Sequence, residues 1–262
     1  MMLPDFLPRK YWRFDNYYNS SDAITLLKLD LKNEDYYSLI IESTKGRGVS
    51  HLLNAIGNHY LDLHKKVIYI SSQWLLKLIE LNYKFNGVES VYQWIDNFDV
   101  IIIDNMEFLY RRFTKVALEL KDKIKSLYQS QKVFIAGVTS HLDFTKQNKY
   151  SSLKHHSRIF LKEMSSRDLF MALKSHTTLE DHIPDKVLYA VSHYNGPFQN
   201  HLNALISVRF KFETSKINWD VMSVGEIDLF LGLKKYFPKQ QLRKGLMNEL
   251  FEVAGTGVAV LK

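Results

Sequence analysis

The turn at residues 43–50 carries the residue types that bind phosphate groups. Between an apolar run at 38–42 and a helical pattern, it reads Ser43-Thr44-Lys45-Gly46-Arg47-Gly48-Val49-Ser50. In a phosphate-binding loop, backbone N–H groups and a helix N-terminus face the phosphates, a lysine neutralises charge, and a Ser or Thr hydroxyl holds magnesium. This turn keeps two glycines and the Ser50 hydroxyl. However, Ser43 replaces the first glycine of G-x-x-x-x-G-K-[ST], and Val49 replaces the lysine.

A second residue that could take part in chemistry, Asp104, follows a later apolar run. In "FDVIIID", residues 98–104, a β-branched strand pattern ends on Asp104. In nucleotide-binding sheets, an aspartate at such a strand end orients magnesium. A strand that simply ends in the polar pair Asp104-Asn105 is the structural alternative. The order of loop, spacing and carboxylate favours a nucleotide site.

The elements that must position these residues follow from hydrophobic patterning. Buried strands are predicted at 38–42, 66–71, 98–104, 132–139 and 157–164, with helical segments between them. This alternation predicts an α/β fold with a mostly parallel sheet and helices on both faces. The pattern turns helical from about Ser165, which predicts a small second domain. Residues 1–22 predict an extended arm, and two further helices are predicted near 223–235 and 239–253.

Composition limits the classes of function. The 262 residues include no cysteine, so disulfides, thiolate metal sites and thiol catalysis are excluded. No apolar run reaches the ~18 residues of a membrane span, and the N-terminus lacks a signal-peptide pattern. We therefore expect a cytoplasmic protein without a membrane partner. The net charge of +7 suits contact with nucleic acid or an acidic partner.

Three segments resemble the DnaA/Hda family of AAA+ proteins, which comprises the bacterial replication initiator and its short regulator. "GVSHLLNAIGN" is similar to the family's G-K-T-H-L-L-H-A-I-G-N run, "YWRFDNYY" to Y-T-F-D-N-F, and "IIIDNMEFL" to the Walker B segment. The resemblance covers about residues 10–220 in collinear order. It implies an AAA+ P-loop-type parallel sheet flanked by helices and followed by a helical lid. The implied divisions are an arm at 1–22, a base at 23–164, a lid at 165–222 and extra C-terminal helices at 223–262.

The resemblance also implies where a nucleotide would bind and which catalytic groups are missing. The implied cofactor-binding positions are Gly46, Gly48, Val49, Ser50, His51, Asp104 and Thr139. Asn105 replaces the second Walker B acid, and we expect Glu107 to lie on the wrong side of the turn to orient water. The arginine-finger position falls on Ser152, or on Arg158 if one gap is allowed. The sensor II position falls on Gln199 or Asn200.

These losses predict a degenerate site without catalysis. A buried triphosphate needs compensating cations, because an unpaired charge in a desolvated site is costly. An arginine finger alone contributes about 10³-fold or more in rate. Loss of the lysine, the finger and sensor II together predicts no hydrolysis and no required cofactor. Binding of ADP stays open. The loop glycines, Ser50 and backbone N–H groups would hold it.

Three functions stay open on the sequence. The first is a non-catalytic DnaA/Hda-like AAA+ regulator or adaptor in bacterial DNA replication, with DnaA or another AAA+ protein as partner; the sliding clamp is a further candidate through "MMLPDFL". The second is a DNA-binding or helicase-loading module that uses basic clusters, with candidate contacts Lys146, Lys149, Tyr150, Lys154 and Arg158. The third is a weak ATPase in which Arg47 or Lys45 replaces the missing lysine.

Overall fold

The chain folds as two compact units, Met1–Glu163 and Met164–Lys262. A computed structural model describes residues 6–18, 24, 27, 31, 38–44, 46–83, 89–129, 132–139, 157–177, 183–194, 196, 198–214 and 221–237. Among the helices so described, none is long and apolar enough to cross a membrane.

A five-stranded parallel sheet forms the centre of the first unit. Its strands are β1 (Ser38–Ser43), β2 (Val67–Ser71), β3 (Val100–Asp104), β4 (Val133–Val138) and β5 (Ser157–Leu161). The strand order is β2-β3-β4-β1-β5, and every neighbouring pair is parallel. The predicted α/β class and parallel sheet are therefore confirmed. Because β1 lies inside the sheet and β2 at its edge, the crevice beyond the carboxyl end of β1 is where such sheets bind ligands.

Helices cover both faces of this sheet. They are α1 (Val49–Asp62), α2 (Ser72–Tyr83), α3 (Glu89–Asp96), α4 (Met106–Tyr110) and α5 (Lys115–Gln129). The helical pattern after Asp104 thus forms two helices, and α3 was not predicted. A 3-10 turn at Phe14–Asn16 lies within the segment that was predicted to be extended.

Two apolar cores lie on opposite faces of the sheet, because successive strand residues point to opposite sides. Ile40 and Ile103 belong to the core shared with α2 to α5. Ile41 and Ile102 belong to the core shared with α1. Three buried residues with helical spacing join the α1 side, namely Ile24, Leu27 and Leu31. Burial on both faces explains why the strands appear as continuous apolar runs in the sequence.

A polar stripe on α1 holds the N-terminal segment 6–17. The stripe consists of residues on one helix face, namely His51, Asn54, Asn58 and Asp62. Asn54 Oδ1 accepts a hydrogen bond from the Arg9 backbone N–H at 2.6 Å. Asn58 Nδ2 donates to the carbonyls of Arg9 and Trp12 at 2.9 and 2.8 Å. The side chains of α1 therefore provide hydrogen-bond partners for backbone groups that have none in a helix or strand. These bonds fix the path of the segment.

The same segment also reaches the sheet. The Tyr69 backbone N–H of β2 donates to the Phe6 carbonyl at 2.8 Å, and the Phe6 ring packs edge-on against Trp94 with ring centroids 6.2 Å apart. Phe6 thus packs within the fold, whereas the neighbouring Leu7 is exposed.

The second unit is helical. It contains α6 (Ser166–His176), α7 (Asp185–Ser192), α8 (Phe198–Thr214) and α9 (Val224–Leu231), followed by a 3-10 turn at Leu233–Tyr236. Ile227, Leu231 and Phe237 lie in the same apolar core as α6 to α8. The Tyr194 hydroxyl donates to Asp228 at 2.6 Å, and the Tyr194 ring stacks on Phe237 at 4.6 Å. The division into a lid at 165–222 and extra helices at 223–262 stays a prediction, and the helix predicted at 239–253 lies outside the described residues.

We expect Gly57→Ala to be less stable than Gly225→Ala by about 1–3 kcal/mol, the usual cost of overpacking. Both glycines lie in helices, so both substitutions gain helix propensity. A Cβ on Gly57 would lie 2.5 Å from Pro8 Cγ and 3.1 Å from Ile102 Cδ1, whereas one on Gly225 meets nothing within 4 Å. Urea unfolding measures the difference, and equal stabilities would show that the N-terminal segment does not pack on α1.

Candidate functional site

The candidate site lies where the carboxyl ends of β1, β3 and β4 meet. The pairings Ile41 with Gly137 and Ile103 with Ala136 place these three strand ends side by side. The turn after β1, Asp104 at the end of β3, and Thr139 after β4 therefore share one edge of the sheet.

The turn keeps the backbone shape of a phosphate-binding loop. Gly46 has φ +83° and Gly48 has φ +89°, values that glycine adopts far more readily than other residues. Gly48 is the N-cap of α1, whose first residue is Val49. The N-terminal N–H groups of this 14-residue helix carry partial positive charge. The backbone can thus still favour an anion.

Val49 occupies the position of the missing lysine and belongs to the apolar core. Its side chain is 1% exposed. A Cβ on Gly137 would lie 2.8 Å from Val49 Cγ1 and 3.0 Å from Asp104 Oδ1. Val49 therefore packs on β4 close to the buried carboxylate, where it supplies no charge.

Neutral donors bind the Asp104 carboxylate, which is 4% exposed. Oδ2 accepts from the Tyr69 hydroxyl at 2.8 Å, and Oδ1 accepts from the Asn105 backbone N–H at 2.8 Å. Burial raises the pKa of the Tyr69 phenol far above its ordinary value, and the Asp104 charge raises it further. Tyr69 thus stays protonated and can donate.

Thr139 and Glu107 bind each other. Glu107 Oε1 accepts from Thr139 Oγ1 at 2.8 Å, and Glu107 Oε2 accepts from the Thr139 N–H at 3.2 Å. Beside them, Ser72 Oγ donates to the Asn105 carbonyl at 2.6 Å. The predicted site residue Thr139 is thus connected to the turn after β3 through Glu107, a contact that the sequence did not predict.

Arg47 points its guanidinium at an acidic residue beyond β5. Its Nε donates to Thr44 Oγ1 at 3.2 Å, and its terminal nitrogen lies 2.6 Å from Glu163 Oε1. Arg47 is one of the two candidate substitutes for the missing lysine, and the structure places it in this ion pair. Lys45, the other candidate substitute, lies outside the described residues.

The N-terminal segment covers the outer side of the turn. His51 Nε2 donates to Asn16 Oδ1 at 2.9 Å, and its ring lies 5.3 Å from those of both Trp12 and Tyr17. The Tyr17 ring is 3.3 Å from where a Gly48 Cβ would lie. His51, predicted as a cofactor-binding residue, therefore contacts this segment. Tyr17 was not singled out, although it closes the "FDNY" part of a segment quoted for the resemblance.

Three further residues that the sequence singled out have partners of their own. Arg158, in β5, lies 3.4 Å from Glu42 Oε1; burial raises the pKa of the Glu42 carboxyl, and Arg158 opposes that shift. Gln199 donates to Asn203 Oδ1 at 3.0 Å. Asn200 Nδ2 donates to the Tyr236 carbonyl at 3.1 Å. Residues outside the described part of the chain are Lys146, Lys149, Tyr150, Ser152 and Lys154.

The described residues combine an anion-favouring backbone with side chains that bind one another. Within them, no group of three or more His, Cys, Asp or Glu residues could hold a metal ion. Chemically, the turn can offer N–H groups to an anion, while Val49 offers no charge and Arg47 is engaged with Glu163.

Sequence comparison identifies relatives over part of the chain. The family described as the bacterial DnaA ATPase domain matches residues 16–150, just over half of the 262 residues. The chromosomal replication initiator DnaA of Campylobacter jejuni (strain 81-176) is 33% identical over 92 residues, covering 35% of this chain and 20% of the relative. That of Buchnera aphidicola subsp. Cinara cedri is 30% identical over 125 residues, covering 43% of this chain and 28% of the relative. The chain thus spans less than a third of each relative.

Solved structures share the fold. Domain III of Thermotoga maritima DnaA superposes with a TM-score of 0.71 at 22% identity, covering 88% of this chain and 98% of that one. DnaA of Aquifex aeolicus bound to AMPPCP superposes with a TM-score of 0.66 at 19% identity, covering 79% of this chain and 67% of that one. The parallel sheet and its helices are thus those of the AAA+ fold.

We expect Tyr69→Phe to destabilise the protein by about 1–3 kcal/mol, because it leaves a buried charged acceptor short of a donor. Tyr92→Phe is the matched control. Its hydroxyl is buried and has no hydrogen-bond partner among the described residues, so its removal should leave the stability unchanged or raise it. Urea unfolding measures both variants. A Tyr69→Phe variant as stable as Tyr92→Phe would refute the proposed support of Asp104.

Proposed function

The chain belongs to the family of the bacterial DnaA ATPase domain, and from this membership we propose that it is a non-catalytic, DnaA/Hda-like AAA+ regulator or adaptor in bacterial DNA replication. It acts through contacts with another AAA+ protein, and DnaA is the first candidate. In this proposal the helical unit serves as the lid of the module.

The buried Val49 side chain is the observation that carries the proposal. A bound triphosphate brings several negative charges into a site from which water is partly removed, so it needs cations. The lysine position is instead apolar and 1% exposed, and it lies beside the Asp104 carboxylate. The negative charge of the Asp104 carboxylate would repel the phosphates. The residues present therefore do not fit a triphosphate.

Contacts within the protein already occupy polar groups at this edge of the sheet. Asp104 is bound by Tyr69 and Asn105, and Thr139 is bound by Glu107. These hydrogen bonds give the side chains of Asp104, Glu107 and Thr139 partners within the protein. Because binding of a nucleotide would have to replace or rearrange some of them, its net free energy would be reduced.

The helical unit supports the same conclusion. Asn200, at one of the two positions that the resemblance assigns to sensor II, binds the Tyr236 carbonyl. Lys211 Nζ donates to the Leu231 carbonyl at 3.2 Å. Both side chains hold the segment at 221–237 to the rest of the unit, so we propose that Asn200 serves packing instead of nucleotide sensing.

DNA binding is the second candidate. A neighbouring structure with a TM-score of 0.64 is a replication initiator DnaA bound to AMPPCP and single-stranded DNA. That ligand is a property of the neighbour, and most of the candidate contacts in this chain lie outside the described residues. DNA binding is therefore the alternative that the tests below distinguish from the adaptor role.

We expect the protein to bind ADP and ATP at best weakly and to release no phosphate above background. Val49→Lys should bind ADP about tenfold or more tightly than the natural protein, because a charged hydrogen bond contributes about 1.5–3 kcal/mol. Leu118→Lys, which adds the same charge at an exposed position of α5, should bind like the natural protein. Calorimetry and a phosphate assay measure these quantities. Phosphate release that disappears in Asp104→Asn would contradict the proposal.

We expect size-exclusion chromatography with purified DnaA to show a complex whose stability does not depend on nucleotide added to this chain. Fluorescence anisotropy with single- and double-stranded oligonucleotides separates the DNA-binding alternative, in which log K falls linearly with log salt. Absence of a complex under every nucleotide condition counts against the adaptor role, and salt-sensitive micromolar DNA binding favours the alternative.

A further inference from the structure

The turn keeps two features of an anion site, although it lacks the lysine. The first is the N-terminus of the 14-residue helix α1, preceded by the left-handed Gly48. The second is the Tyr17 hydroxyl, which is buried and has no hydrogen-bond partner among the described residues. The Tyr17 hydroxyl oxygen lies 3.5 Å from where a Gly48 Cβ would be. A buried donor without a partner is costly, so its position beside the helix N-terminus points to a ligand.

The protein itself supplies an anion to the same turn. The Arg47 guanidinium lies 2.6 Å from Glu163 Oε1, and Thr44 Oγ1 accepts from Arg47 Nε. These two acceptors direct the guanidinium toward the segment after β5. As long as this ion pair holds, a phosphate group at the turn has to compete with a carboxylate for Arg47.

We propose that Glu163 is an autoinhibitory anion, which holds Arg47 and thereby keeps the turn from binding a diphosphate group. This inference rests on the proposed function, because it explains how a phosphate-loop backbone can persist in a module that does not depend on nucleotide. When Arg47 is released, its guanidinium joins the α1 N-terminus and the Tyr17 hydroxyl as donors to the anion.

The exposure of the pair decides how strong this inhibition is. The Arg47 and Glu163 side chains are 20% and 41% exposed, so water screens their attraction. Exposed ion pairs shift an equilibrium by up to about fivefold, and loss of the nearby negative charge adds to that shift. We therefore expect an effect of about three- to tenfold, which salt should weaken.

The decisive variant is Glu163→Gln, and the probe is inorganic pyrophosphate, studied by calorimetry on the full chain at low salt. Glu119→Gln is the matched control, because it removes the same charge from a distant exposed ion pair with Lys115. We expect Glu163→Gln to bind pyrophosphate about three- to tenfold more tightly than Glu119→Gln. Equal affinities for these two variants would overturn the proposal.

Two further variants test the assigned roles. The Arg47→Gln/Glu163→Gln double variant should lose the part of the gain that comes from the released arginine. If the gain persists, relief of charge repulsion explains it and Arg47 is not the target. Tyr17→Phe in the Glu163→Gln background should lose about threefold or more in affinity, and unchanged affinity would remove Tyr17 from the site.

Other ligands identify the group that is recognised. ADP and AMP, titrated in parallel, show whether a nucleoside adds to the pyrophosphate affinity. Should Glu163→Gln fail to fold by circular dichroism, Glu163→Asp serves, because a shorter carboxylate weakens the pair; no tightening relative to the natural protein then refutes the proposal. Failure of the adaptor role appears instead as absence of a DnaA complex, which these titrations do not measure.

Discussion

The Asp104 carboxylate at the end of β3 has to be compensated, because its removal from water is costly unless hydrogen bonds or opposite charges replace the lost hydration. Two neutral donors, the Tyr69 hydroxyl and the Asn105 N–H, provide this compensation. Tyr69 comes from β2, the strand next to β3. These neutral donors are compatible with an apolar residue at position 49.

The apolar position in turn fixes the local packing. Val49 lies against β4 at Gly137, where a Cβ would come within 2.8 Å of it and 2.5 Å of Leu53. Glycine at this strand position lets α1 approach the sheet closely. Helix, strand and carboxylate thus form one packed unit, so a nucleotide-dependent movement of this edge would have to break core contacts as well as hydrogen bonds.

The sequence predicted much of the fold because buried parallel strands leave continuous apolar runs, and all five appear near their expected bounds. It did not predict α3, because its eight residues span only about two helical turns, too few for a sustained periodic pattern. Apolar periodicity alone does not separate α4 from α5, because both follow Asp104 with apolar residues at helical spacing. Side-chain partners were harder still, because the ion pair of Arg47 with Glu163 and the contact of Glu107 with Thr139 join segments far apart in the chain. Such pairings depend on the completed fold.

The hydrogen bond from the Tyr69 N–H to the Phe6 carbonyl has a consequence for the protein in solution. β2 is the outermost strand on its side of the sheet, and an open strand edge offers backbone groups to strands of other molecules. Here the N-terminal segment pairs with part of that edge, and Phe6 packs beside Trp94. The segment thereby occupies one backbone donor of that edge, and its detachment would leave the Tyr69 N–H open to a strand of another molecule even where the two cores remained folded.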